Sequence, residues 1–110
     1  MIIVKEKIGD FSVLNFKGRI DTIHSSALEE EVNQLFVNGE KNLIFNCSGV
    51  NYISSSGLRV FLVAQKKVLL LDGKLFLSNM QPAIQEIFRI SGFSNLFRIF
   101  DTQEEALESQ

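Results

Sequence analysis

The chain of 110 residues has one cysteine, one proline, one histidine and no tryptophan, and each shortage closes off a class of protein. A single thiol, Cys47, forms neither an intrachain disulfide nor a cysteine metal cluster. It follows an apolar run, where a small buried hydrophobe is the ordinary reading and a reactive thiol the alternative. His24 has no second histidine or cysteine at metal-ligand spacing, so it is read as a solvent-facing loop residue, and no metal or other cofactor is expected. Lys and Arg number 11 against 13 Asp and Glu, a formal charge of −2 without any basic run, which excludes a nucleic-acid grip built on phosphate neutralisation. No apolar run reaches the roughly 18 residues of a membrane span. Val60–Leu71 comes nearest and is interrupted by Gln65, Lys66 and Lys67. Met-Ile-Ile-Val-Lys-Glu-Lys at the start lacks the long apolar region of a signal peptide, so a cytoplasmic location is expected. Enzyme signatures are missing as well. Ser54-Ser55-Ser56-Gly57 is not a Gly-x-Ser-x-Gly elbow, and there is no Gly-x-x-x-x-Gly-Lys-(Ser/Thr) phosphate loop. A non-enzymatic protein is expected.

What remains is ordinary globular material. The chain is 45% hydrophobic and 22% charged, with 10 phenylalanines to fill a core, and its length suits one domain over residues 1–110. Ile2–Ile8 and Phe11–Phe16 are β-rich runs separated by Gly9-Asp10, a hairpin turn. Ser26-Ala27-Leu28-Glu29 is a capping box that predicts a helix start, with Glu30 and Glu31 in its first turn. Leu28, Val32, Leu35 and Phe36 line one side of that helix, and Gly39 can terminate it. Leu43-Ile44-Phe45 lacks alternation, as in a strand covered on both faces. A second helix is predicted from about Ser56 to Leu71, a strand over Leu75–Leu77, and a third helix with Pro82 in its first turn and Gly92 as its stop. Leu96–Phe100 reads as a last strand, and Thr102-Gln103-Glu104-Glu105 is a second capping box. Strands alternating with helices predict a single α/β domain. Its sheet is mixed and mostly parallel, with an N-terminal hairpin and about four helices.

Parallel strands gather the loops after their C-terminal ends at one pole. Asp21, Ser54, Ser55, Ser56, Ser78 and Asn79 all follow strand ends and are expected there together. The three serines stand where a strand turns into a helix. A helix start has unpaired N–H groups and a partial positive charge, so hydroxyls cap it and anions are stabilised beside it. Capping alone accounts for three hydroxyls; a modifiable serine is the sharper alternative. On the second helix, Leu58, Phe61, Leu62, Val68 and Leu69 form the expected core side. Val60 and Val63 lie round the cylinder near Arg59 and Lys67. Either a neighbouring helix covers these valines, or they form an apolar docking face with a basic rim.

Asn46-Cys47-Ser48-Gly49-Val50-Asn51-Tyr52-Ile53-Ser54-Ser55-Ser56-Gly57-Leu58 resembles the signature of the STAS domains, the anti-sigma factor antagonist family. That signature is a strand ending in Asp-x-Ser, then Val, a hydrophobic pair, and Asp-Ser-Ser-Gly-Leu. Phe16-Lys17-Gly18-Arg19-Ile20-Asp21 resembles the family's Gly-x-(Leu/Ile)-Asp. Gly73–Ser78, Leu96–Thr102 and Glu104-Glu105-Ala106 are similar to its later strands and last helix. Two positions depart: Ser54 and Asn46 stand where the family usually has Asp.

The resemblance implies that unphosphorylated protein binds an anti-sigma factor that is also a serine kinase, displacing the sigma factor. Ser55 aligns with the family's phosphoacceptor, and Ser54 is a second possible acceptor. Phosphate on Ser55 would end the interaction, and a metal-dependent serine phosphatase would reset it. Asp21 matches the family's acidic residue before the first helix, with a local turn role as its plainer reading. The expected contact surface comprises Asp21, Ser54, Ser56, Gly57, Arg59, Val60 and Val63. The alternative is a phosphorylation-independent STAS accessory or scaffold subunit of a transporter or signalling complex.

Overall fold

Gly9 takes the left-handed conformation (φ 59°) and reverses the chain between β1 (Ile2–Ile8) and β2 (Phe11–Ile20), with Ile8 facing Phe11 across the turn. The chain continues through α1 (Thr22–Val37), β3 (Asn42–Ile53), α2 (Ser55–Leu70), β4 (Lys74–Ser78) and α3 (Pro82–Ile90). A 3-10 turn (Phe93–Asn95), β5 (Arg98–Phe100) and α4 (Gln103–Glu108) complete it. This computed structural model describes residues 1–109. The five strands lie in sequence order; β1 and β2 are antiparallel and the remaining pairs parallel. The predicted mixed, mostly parallel sheet with its hairpin and four helices is what forms.

The sheet is covered unequally. On one face Leu14, Phe16, Ile20, Leu43 and Phe45 meet Leu28 and Val32 of α1, Val60, Phe61, Ala64 and Val68 of α2, and Ile84 and Phe88 of α3. Edge-to-face rings run through this core, Phe45 against Phe61 at 4.9 Å and Phe16 against Phe45 at 5.3 Å. On the other face Phe11, Val13, Ile44 and Phe76 are covered by Ala106 and Leu107 of α4. Leu43-Ile44-Phe45 lacks alternation because Ile44 serves the second core while its neighbours serve the first.

Several sequence expectations need correction. α1 starts at Thr22, not at Ser26, because the Asp21 carboxylate caps it by accepting the His24 N–H at 2.9 Å. Its first turn carries no buried apolar residue, so the apolar periodicity from Leu28 onward concealed it. β2 runs on through Gly18 to Ile20. Leu69 is exposed rather than part of the core side of α2, which consists of Gly57, Val60, Phe61, Ala64 and Val68. Of the expected last strand, Leu96 and Phe97 belong to the approach, where buried Phe97 packs against Phe88 at 5.8 Å. The second capping box forms as expected, with the Thr102 hydroxyl accepting the Glu105 N–H.

β3 sets the position of the serine loop. Its pairing with β2 shifts between Asn15 and Lys17 and again between Gly18 and Arg19, each time with extra residues on β3. Such bulges sharpen the local twist and re-aim side chains. Val50 and Ile53 consequently both point into the helical core. β4 pairs with β3 only as far as Asn46, opposite Ser78. β3 then continues to Ile53 beside β2 alone, roughly 20 Å further at about 3.3 Å per residue.

Candidate functional site

The end of β3 is fastened to the end of β2 by the Ser54 N–H, which donates to the Ile20 carbonyl at 2.8 Å. Gly57 makes this junction possible. A Cβ at residue 57 would lie 2.8 Å from Ile20 Cγ2 and 2.9 Å from Ile53 Cγ1, so only glycine lets α2 begin this close to both strands. The loops before α1 and α2, distant in sequence, are therefore held side by side.

The three serines are not equivalent. Ser54, 8% exposed, is the N-cap of α2, and its hydroxyl accepts the Gly57 N–H at 3.1 Å. The half-buried Ser56 hydroxyl lies 2.9 Å from that of Ser54 and 3.3 Å from that of Ser25 on α1. Ser55 is exposed, and among the described residues its hydroxyl makes no hydrogen bond. It occupies the first residue of a helix whose opening N–H groups, at Ser55 and Ser56, are left open by the Ser54 cap. A dianion on Ser55 Oγ would thus face solvent beside two free donors and the positive end of the helix dipole.

Asp21 is half-buried at the head of α1. His24 is helical rather than a loop residue, and its Nδ1 lies 2.6 Å from the same Asp21 oxygen that caps the helix. The His24 backbone N–H above all holds the Asp21 carboxyl below its ordinary range; desolvation opposes it, and the His24 side chain and the charge of Arg19 add lesser lowering effects. Cys47 is buried and its thiol is pushed up to about 12 by desolvation, the state of an inert core thiol. Among the described residues no group of three or more His, Cys, Asp or Glu side chains is placed to hold a metal.

The two departures from the family pattern have local explanations. Ser54 supplies the capping oxygen with a neutral hydroxyl, where an aspartate would cap with charge. Asn46 lies far down β3, its amide nitrogen donating to Gln103 Oε1 at 2.8 Å and its oxygen accepting the Ser48 N–H at 3.0 Å. It bonds β3 to α4 and touches nothing at Ser55. Ser78 and Asn79, expected beside the serines, are also displaced. They follow β4, which stops opposite Asn46. The reason is the overrun of β3 past β4.

The remaining expected contact residues divide. Val60 is only 2% exposed and Gly57 is buried, so neither presents a side chain to a partner; α1 covers Val60. Val63 is 41% exposed, and Arg59 reaches across to Glu29 of α1 at 3.7 Å in an open ion pair. Val60 and Val63, with Val32 and Phe36, line a groove of about 190 Å³ between α1 and α2. One pair escaped the sequence reading. Arg19 and Tyr52 are register partners at the ends of β2 and β3, and the guanidinium lies 4.1 Å from the centre of the Tyr52 ring. Arg19 belongs to the Gly-Arg-Ile-Asp segment, so motif and alternation together would have placed it on the outer face of the sheet; nothing in the sequence gave its partner.

Residues 3–106 match the STAS domain family, and the chain belongs to it. Over 106 residues it is 30% identical to BtrV of Bordetella bronchiseptica, named an anti-sigma factor antagonist, covering 96% of this chain and 91% of that one. The crystal structure of a protein of the same designation from Thermotoga maritima superimposes with a TM-score of 0.92 at 18% identity, over 96% of this chain and 92% of that chain. The structure of the anti-sigma factor antagonist SpoIIAA in its unphosphorylated form gives a TM-score of 0.78 at 20% identity, over 97% of this chain and 96% of that chain. Among the described residues no helix is long and apolar enough to cross a membrane.

Proposed function

We propose that this chain is an anti-sigma factor antagonist whose contact surface is the pole formed by the loops before α1 and α2, switched by phosphorylation of Ser55. The observation that carries the reading is the inequality of the three serines: Ser54 and Ser56 are bonded into the loop, whereas Ser55 stands exposed and, among the described residues, its hydroxyl is unbonded. BtrV, whose name is that of an anti-sigma factor antagonist, supports the antagonist part of this reading. The partner is an anti-sigma factor with serine kinase activity. It moves the γ-phosphoryl of ATP, held on its own chain, to Ser55 Oγ and releases ADP. A metal-dependent serine phosphatase hydrolyses the phosphoester to restore the hydroxyl and free phosphate. The added charge sits at a helix start that tolerates it, so docking changes while the fold does not.

The test is intact-mass spectrometry after incubation with ATP and each anti-sigma factor kinase of the source organism, together with binding of Ser55→Asp. The expected result is one phosphoryl group mapped to Ser55, and loss of binding by Ser55→Asp at an unchanged melting temperature. Equal binding by Ser55→Asp and wild type, with no phosphoryl transfer, would instead favour the phosphorylation-independent accessory subunit.

A further inference from the structure

The outer face of the sheet is finished at one end and bare at the other. Along β2 the odd-numbered residues point to this face: Phe11 and Val13 lie under α4, while Lys17 and Arg19 are exposed. Directly paired strand residues share a face, which adds Ile2 opposite Lys17 and Val4 opposite Asn15. Ile2 is 60% exposed, Val4 51% and Tyr52 38%. The bare area crosses three strands, about 10 Å between the outer two at a spacing of ~4.8 Å, and ends at the Ser54–Ser55 junction.

Its chemistry is specific. The exposed apolar atoms come from Ile2, Val4 and Tyr52, and the cations from Lys17 and Arg19; the same alternation places the exposed carboxylate of Glu6 on this face opposite Val13, at the end towards α4. Lys5 and Lys7 pair with Glu31 and Glu40, but among the described residues Lys17 and Arg19 pair with no carboxylate. The carboxylate nearest to Arg19 along the chain, Asp21, feels the charge of Arg19 but is hydrogen-bonded by the His24 N–H and not by the guanidinium. The Arg19 guanidinium lies over the Tyr52 ring, and among the described residues its N–H groups make no hydrogen bond. A guanidinium over an aromatic ring, flanked by apolar side chains, has the makeup of a binding hot spot. Two cations on a chain of net charge −2 are too few for an anionic membrane surface, which calls for clusters of about 4–8.

We infer that this bare half-face docks an acidic, partly apolar segment of the anti-sigma factor, with the carboxylate of that segment taken by Arg19 on its Tyr52 platform. The inference rests on the proposed function for the identity of the partner, and it gives the interface a second side, round the sheet from Ser55.

Binding of the anti-sigma factor kinases to wild type, Arg19→Glu, Arg19→Lys and Ser55→Asp separates the two readings. Arg19→Glu is expected to weaken binding at least tenfold and Arg19→Lys less, both at an unchanged melting temperature. Wild-type affinity in Arg19→Glu with loss in Ser55→Asp overturns this inference and leaves the switch standing; the converse pattern keeps the surface and removes the switch. A partner-independent arm titrates isotope-labelled protein with a synthetic peptide alternating Glu and Leu, and with its Lys-for-Glu counterpart. Amide shifts at Ile2, Val4, Arg19 and Tyr52 with the Glu peptide, and a preference reversed to the Lys peptide by Arg19→Glu, support the surface. Shifts scattered elsewhere, or no discrimination between the peptides, overturn it.

Discussion

The two faces of the sheet are built to different standards. The helical face is sealed along its length by α1, α2 and α3, whereas the outer face has only the short α4, which covers Phe11, Val13, Ile44 and Phe76 and stops. The same strand β2 thus buries Phe16 and Ile20 on one side and exposes Lys17 and Arg19 on the other. Side chains that hold the fold and side chains left in solvent are separated by the pleat, and the serine junction lies at the boundary between them.

Removing the ring of Phe61, packed among Phe16, Phe45 and Phe88, should break the sealed face and cost about 3–5 kcal/mol in denaturant unfolding. Gly57→Ala is the next largest. Its new methyl must displace Ile20 and Ile53, which should cost about 1–3 kcal/mol and loosen the junction, seen as faster amide exchange at Ser54–Leu58. Ser54→Ala removes the α2 cap and is expected to cost about 1 kcal/mol, while Ser54→Asp retains the stability by restoring a capping oxygen.

The acid limb of the stability profile reports on Asp21. Its carboxyl is held below the ordinary value of 3.8, chiefly by the His24 backbone N–H, so the folded state favours the ionised form. The stabilisation is complete above that ordinary value and is lost as pH falls through the lower folded-state value. Melting temperatures measured down the acid range should fall less steeply for Asp21→Asn than for wild type. The smallest effect belongs to the bare half-face. Ile2→Thr should change stability by less than about 0.5 kcal/mol, and a larger loss would mean that this surface is structural after all.

The sequence carried the element order because its punctuation is local. Gly9-Asp10, Pro82 and the Thr102 box act through turn and cap geometry within a few residues, and each sits where it was read. The start of α1 was misread for the same reason. Ser26-Ala27-Leu28-Glu29 has the composition of a capping box, but the Asp21 carboxylate had already capped the helix more than a turn earlier. Leu69 shows the limit of periodicity: its spacing fits an apolar stripe, yet the side chain is left largely exposed. The serine loop was legible from Ser54-Ser55-Ser56-Gly57, since a strand followed by hydroxyls and glycine marks a helix start wherever it occurs. Arg19 over Tyr52 was not legible, because strand register joins residues that alternation alone cannot pair.

By itself the sequence determined the alternation of strands and helices, the family pattern and the serine-rich helix start, all properties of short-range hydrogen bonding and side-chain spacing. Only the tertiary structure decided which of the three serines stands free, that Val60 lies beneath α1, that Ser78 is separated from the junction by the overrun of β3, and that half a sheet face lies uncovered. Burial and register are settled by whatever packs alongside, and those neighbours come from distant parts of the chain.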